Sequence, residues 1–376
     1  MRMLKRRISG LECLLLLPMR WPFLLSLLLL SSCVSIYGLR TEKEGIHFFS
    51  ADHEAFRLMG RVDTVHQQFA RCWAPGTALE VGFTGTFCEI EIQDEVKFGT
   101  YHNYIEVVID DLPPKRIQLK AERNVILIAD DLPDTKHTLL ICKNTEASIG
   151  YIEFVGMSCE SVFPLPVRER SIEFIGDSIT CGNGCDDSQT TCGEGLWYDQ
   201  HNAYLSFGCV LSRRLDANWL LAAVSGIGMT RSCCGSIVTM PEVYERVDLR
   251  KNGEIWKQPE KDPDLVVITL GQNDGLQDSV IFCEAYIDFL ESIRKRYQAS
   301  TIICCASPMA DAELKPVMKN YVFSIAEALN KAGDNKVRAF SCQGMYRTGC
   351  TFHPTAGEHR SIADELEPFV RQTMGW

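Results

Sequence analysis

Four short stretches of the chain carry residues that could do chemistry together: Gly176-Asp-Ser178, Val224-Ser-Gly226, Gly271-Gln-Asn273 and His353-Pro354. A serine hydroxyl is a weak nucleophile until a base takes its proton, and histidine titrates in the range that suits this task. Attack on a carbonyl leaves negative charge on oxygen, which backbone N–H groups and neutral amides stabilise without adding charge. Ser178 as nucleophile, His353 as base, and the Ser178 N–H, the Gly226 N–H and the Asn273 amide as oxyanion donors would form one acyl-transfer centre. Glycine suits the second donor position because the backbone there must approach the substrate closely. Each residue also has a plainer reading: glycines 226 and 228 as turn formers, Asn273-Asp274 as a loop cap, His353 as a partner for a backbone carbonyl. Together, suitable residues after three successive strands and a histidine before the last helix make a pattern that the plainer readings do not explain.

Such a centre needs a frame that gathers distant loops. From about residue 167 to 376, strand-like runs at 172–175, 219–224, 265–270, 302–306 and 337–340 alternate with helical patterns at 203–215, 281–297, 317–332 and 355–374. That alternation predicts an α/β domain: a five-stranded parallel sheet with helices on both faces, its ligands bound at the carboxyl ends of the strands. All four stretches fall at that end. The part before it reads differently. Between residues 45 and 160, short alternating runs at 77–83, 88–92, 104–109, 124–128, 137–142 and 147–154 are separated by turns such as Asp110-Asp-Leu-Pro-Pro114 and Asp130-Asp-Leu-Pro-Asp134. This predicts an all-β sandwich domain, joined to the α/β domain by the stiff linker Ser161-Val-Phe-Pro-Leu-Pro166.

The chain has 376 residues, enough for two such cores, and a formal net charge of −11 with a pI near 5.3. Nucleic acid and anionic membrane surfaces call for a basic face, so neither is an expected partner. The first 33 residues read as an export signal: Arg2, Lys5, Arg6 and Arg7, then an apolar run from Trp21 to Leu30 too short to span a bilayer comfortably, with Met19 as a second possible start. Leu30-Ser-Ser-Cys33 resembles a lipoprotein cleavage box, which would leave a lipid on Cys33 as the only membrane link; an ordinary secretory signal is the other reading. Of 17 cysteines, fifteen remain beyond Cys13 and Cys33, so at least one thiol must stay unpaired. Cys304-Cys305, inside an apolar run, read as core residues. Cys181, Cys185 and Cys192 lack a nearby histidine, and no metal site is expected.

Taken in order, the four stretches resemble the sequence blocks of the SGNH (GDSL-like) hydrolase superfamily, whose domain has a flavodoxin-like sheet. The runs Phe174–Gly182 and Thr239-Met-Pro-Glu-Val-Tyr-Glu-Arg246, with the β-rich part in front, are similar to carbohydrate esterase family 2, the acetylxylan esterases. The resemblance implies a jelly-roll sandwich before the hydrolase domain, and a cofactor-free serine esterase that removes acetyl groups from plant polysaccharides such as xylan or glucomannan; a monomer is expected. A short-acyl or lipid esterase of the wider superfamily, or a carbohydrate-binding protein with a decayed site, are the competing readings.

One departure from the superfamily pattern matters. An aspartate usually precedes the histidine by two or three residues and orients it; here Thr351 and Cys350 stand there. The expectation is therefore a Ser178–His353 dyad in which a backbone carbonyl holds the imidazole. His359 is the rival base, while Asp177 and Asp274 are expected to shape their loops. In the long loop 182–200, Trp197 and Tyr198, with His201 just beyond, are expected to wall the pocket, either stacking on a sugar ring or latching the loop.

Overall fold

The computed structural model describes residues 39–63, 69–257 and 261–376. The export-signal and Cys33 expectations lie outside the described residues, among which no helix is long and apolar enough to cross a membrane.

Alternation builds the front half. In the strand Cys88–Asp94, Cys88, Ile90 and Ile92 turn into the sandwich core, while Glu89 and Glu91 on the outer side are covered by Arg40, Thr41 and Arg123. One sheet runs Val62–Asp63, Arg71–Cys72, Ile152–Cys159, Cys88–Asp94 and Arg123–Ala129, with His47–Ser50 also on Ile152–Cys159. The other runs Ser161–Phe163, Ala78–Thr84, Lys136–Lys143, Tyr104–Ile109 and Lys115–Gln118, with Arg57–Met59 also on Ala78–Thr84. Every pairing is antiparallel. Two local expectations are corrected. Ser161–Phe163, read as linker, is a strand, because the Phe163 ring lies over Gly82 of the neighbouring strand, which has no side chain in its way. The run expected from residue 147 starts at Ile152, since 146–150 coil into a turn closed by the Ile149 N–H on Glu146 O at 3.1 Å.

The back half is the parallel α/β domain that its alternation predicts. Its strand order is Ala217–Ala223, Arg170–Gly176, Leu265–Thr269, Thr301–Cys305 and Val337–Phe340. All neighbours are parallel. Leu265, Val266, Val267 and Ile268 are all buried, as a strand covered on both faces requires. Ile175, Ile268 and Ile302 pack against the helices Ser279–Arg296 and Leu314–Lys331. Phe174, Trp219 and Val267 face Phe207–Arg214 and Ala356–Met374 on the other side. The helical pattern at 203–215 divides at Ser206, where Asn202 caps a single 3-10 turn, Ala203–Leu205, before the α-helix begins. The strand ending at Gly176 lies between its two partners, so the chain leaves it to one side and later returns on the other. This opens a crevice at its carboxyl end.

The described residues belong to one compact unit, and the two halves meet through buried polar contacts. Trp219 Nε1 donates to Gly76 O at 2.8 Å, and Arg116 Nη2 donates to the carbonyls of Asp199 and His201, each at 2.8 Å. Arg61, fully buried, donates to Tyr244 O at 2.6 Å and pairs with buried Glu173 at 3.3 Å. Removing one member of a buried pair leaves an uncompensated charge, so Arg61→Ala is expected to cost about 3–5 kcal/mol. The double variant Arg61→Met/Glu173→Leu should recover much of that loss, as read from urea midpoints.

Candidate active site

Ser178 opens a one-turn helix, Ser178–Cys181, directly after the strand Arg170–Gly176. The turn is tight. At Gly176 a Cβ would come within 2.1 Å of Thr180 Oγ1, and Asp177 caps the helix by accepting the Ile179 N–H at 3.0 Å. The hydroxyl therefore leaves the end of the sheet on a fixed vector. The residue is 6% exposed.

His353 Nε2 lies 2.8 Å from Ser178 Oγ. On the far side of the ring, Nδ1 is 3.0 Å from Thr351 O and 3.1 Å from Thr351 Oγ1, whose own hydroxyl donates to Cys350 O at 2.7 Å. A carbonyl can only accept, so Nδ1 carries the hydrogen and Nε2 is left bare toward the serine. Burial lowers the imidazole below the usual histidine range, partly offset by its hydrogen bond to the Thr351 carbonyl. To aim that carbonyl, the loop places Thr351 at φ 52° and Phe352 at φ 60°, two successive side-chain-bearing residues in the left-handed region. Each such residue costs on the order of 1–3 kcal/mol and needs holding. The hold comes from the Cys192–Cys350 disulfide, from the Cys350 N–H on Gly184 O at 3.0 Å, and from the Gly349 N–H on His353 O at 2.7 Å.

Around the crevice stand the other expected donors. Gly226, at φ 80°, follows the second strand, and its carbonyl accepts the Cys233 N–H at 2.8 Å; Cys233 is in turn disulfide-bonded to Cys234. Asn273 Nδ2 donates to Ile227 O at 2.8 Å and to Asp177 Oδ2 at 3.1 Å, which ties the serine turn to the Gly226 loop. Both amide hydrogens are thus engaged, and a substrate oxygen would have to displace one acceptor. Asp274 accepts the N–H groups of Met229, Thr230 and Arg231 at 2.8, 2.6 and 2.9 Å and so folds the loop beyond Gly226. Burial pushes the Asp177 carboxyl up to about 7, with the charge of Asp274 adding to the effect.

His359 is nowhere near the serine hydroxyl by contact: it is fully buried, its Nδ1 accepts the Phe207 N–H at 3.2 Å, and its ring stacks on Phe207. Burial holds it at about 3. Of the loop aromatics, Trp197 is 46% exposed, whereas Tyr198 is fully buried against Tyr101 with its hydroxyl accepting the His102 N–H at 3.2 Å. That placement suits a latch and gives a sugar no ring face. Phe352, 70% exposed, lies immediately before His353. The Cys192–Cys350 disulfide was not legible from spacing, because its cysteines are 158 residues apart. Among the described residues eleven thiols are free and no cluster suited to a metal ion occurs. A cavity of about 240 Å³ lined by Arg168, Ser171, Trp256 and Tyr297 sits at the opposite, amino end of the sheet and takes no part in this geometry.

A parallel sheet with a serine turn, a histidine loop and donors at one end defines a GDSL-like acylhydrolase, and the GDSL-like Lipase/Acylhydrolase family matches residues 174–356. The Carbohydrate esterase 2 N-terminal family matches residues 58–166. The two matches follow one another along the chain, and its relatives and structural neighbours include family 2 carbohydrate esterases. The chain is 29% identical over 86% of its length to a cellulase/esterase, CelE, of Acetivibrio thermocellus, but spans only 40% of that protein. It is 25% identical over 92% of its length to an acetylxylan esterase/glucomannan deacetylase of Cellvibrio japonicus, spanning 96% of it. A family two carbohydrate esterase from Clostridium thermocellum, solved in complex with cellohexaose, superposes with a TM-score of 0.77 at 27% identity, over 85% of this chain and 99% of that one. The Cellvibrio japonicus family two esterase gives 0.79 at 25% identity, over 88% and 98%.

Opening the strap should loosen the base more than the fold. Cys192→Ser is expected to lower kcat by about tenfold or more. Its stability should fall by no more than roughly 2–4 kcal/mol. Activity and thermal unfolding measured on the same preparation check both.

Proposed function

We propose that the protein is a serine esterase that removes O-acetyl groups from plant cell-wall polysaccharide, acetylated xylan or glucomannan, through an acetyl-enzyme intermediate. The observation that carries this reading is the 2.8 Å contact between Ser178 Oγ and His353 Nε2, with Nδ1 committed to a carbonyl. Ser178 attacks the acetyl carbonyl as His353 takes the hydroxyl proton; the imidazolium returns it to the leaving sugar hydroxyl. Water then attacks the acetyl-enzyme, giving its proton to His353, which passes it to Ser178 Oγ as the ester bond breaks and acetate leaves. The oxyanion is held by the N–H groups of Ser178 and Gly226 and by the Asn273 amide once it turns from one of its present acceptors. The relatives named for acetylxylan esterase and glucomannan deacetylase activity support acetyl as the acyl group. The exposed rings of Trp197 and Phe352 supply apolar faces on which a sugar can stack. The basic start and apolar run of the first 33 residues support an exported enzyme, with Cys33 as the lipid attachment point if the signal is of the lipoprotein kind.

Acetate release from acetylated xylan and glucomannan is the direct test. Ser178→Ala and His353→Ala should each lose on the order of 10³-fold or more in kcat, and full activity in either would refute the reading. The base must be neutral to work, and burial has lowered its proton affinity. Activity should therefore persist below about pH 6.5, the ordinary histidine value, and fall only as pH drops through the lowered one. A pH series of kcat/KM reads this. A clear preference for long acyl chains over acetyl would favour a lipid esterase instead.

A further inference from the structure

Glu146 belongs to the sandwich half, in the turn before the strand Ile152–Cys159, yet its carboxylate sits in the hydrolase crevice. It is 1% exposed. Oε2 accepts the Ser225 N–H at 2.6 Å and the Cys181 thiol at 3.2 Å, while Oε1 accepts the Ser148 hydroxyl. Ser225 immediately precedes Gly226. Cys181 closes the helix that Ser178 opens, three residues on and therefore on the same face. One buried carboxylate thus bridges the nucleophile turn and the Gly226 loop. The strand turn that carries it comes from the other half of the molecule.

Its charged surroundings are unusual for a buried acid. Lys143 Nζ donates to the Glu146 carbonyl at 3.3 Å, Lys97 Nζ to Ser148 O at 2.8 Å, and Arg250 Nη2 to Ala147 O. These three basic groups bind the backbone of the turn; burial lowers Lys143 to about 7, and the charge of Glu146 acts on both Lys143 and Lys97. The groups on the carboxylate itself are a backbone N–H, a thiol and a hydroxyl. On the hydrolase side the charge of Glu146 raises the proton affinity of Cys181, and it also raises that of His353, as the least of the causes after burial and the hydrogen bonds to the Thr351 and Cys350 backbone. A buried anion held by neutral donors is poised to interact with a cation that appears only during turnover. His353 becomes that cation each time it takes the serine or water proton.

We propose that Glu146 is a positioning residue of the acyl-transfer site, supplied by the sandwich half: it fixes the Gly226 loop against the nucleophile turn and provides the negative charge that the base loop lacks. The two tasks a triad aspartate performs are thereby split. Thr351 orients the ring, and Glu146, hydrogen-bonded to Cys181 in the turn that Ser178 opens and to Ser225 before Gly226, places a negative charge on the nucleophile side of the site. The proposal rests on the esterase reading above for its effect on rate, but its effect on His353 can be read without substrate.

Glu146→Gln keeps an oxygen for the Ser225 N–H and removes the charge. In the full chain, NMR titration of the His353 imidazole should move down by about half a pH unit. On acetylated xylan, kcat should fall on the order of tenfold, with KM within about twofold of wild type and the acid limb of kcat/KM shifted by the same amount as the titration. A folded Gln variant with unchanged His353 titration and unchanged kcat would overturn the proposal, because a purely structural role moves neither. Should Gln not fold, Glu146→Asp keeps the charge and withdraws it from Ser225: an unshifted titration with lowered kcat supports the assignment, and wild-type kcat overturns it. If wild type releases no acetate, the esterase reading fails, and the His353 titrations still decide the role of Glu146.

Discussion

A hydrogen on Nδ1 of His353 is the condition on which this site rests. Without it Nε2 would not be bare toward Ser178, and the serine would have no acceptor for its proton. A carboxylate usually enforces that tautomer and adds charge. A carbonyl enforces it equally well, since it can only accept, but contributes far less field. The geometry of the base loop follows from this substitution. To bring Thr351 O under the ring, two consecutive residues must adopt left-handed backbone, and that conformation persists only because the loop is tied at Cys350, at Gly184 O and at His353 O.

The same dependence explains why the molecule is a single unit. In many α/β hydrolases the parallel sheet alone carries the centre. Here the sandwich half reaches in through Gly76 on Trp219, Arg61 on Glu173, Arg116 on the 182–200 loop and Glu146 on the Gly226 loop. Arg116 is well placed for this work: it spans Asp199 O and His201 O at once and stacks on Tyr104, whose hydroxyl donates to Asp199. The loop that carries Trp197 and Cys192 is therefore braced from the sandwich side and tied to the base loop on the other.

Much of this was legible in the sequence because it depends on local pattern. Buried parallel strands such as Leu265–Thr269 announce themselves as apolar runs, and Gly-Asp-Ser after one of them marks a turn whatever the chain does elsewhere. The carbonyl partner of His353 could be anticipated from a missing aspartate. What was not legible depends on distance in the chain. Cys192–Cys350, the burial of Tyr198 under Tyr101, and Glu146 beside Ser225 each join segments whose meeting is decided by tertiary packing. Ser161–Phe163 escaped for a related reason: the prolines that follow it signal a linker, while its pairing is fixed by a glycine about 80 residues earlier.

The strap between Cys192 and Cys350 also has a consequence for when the centre comes into being. Its two sulfurs belong to loops made far apart in synthesis, and their bond forms where the surroundings are oxidising. A copy of the chain kept in a reducing cytosol would hold every residue of the centre and lack the tie that aligns its base. Delivery to the right compartment would then be the last step of maturation, so that place, rather than a bound regulator, separates a dormant copy from a working one.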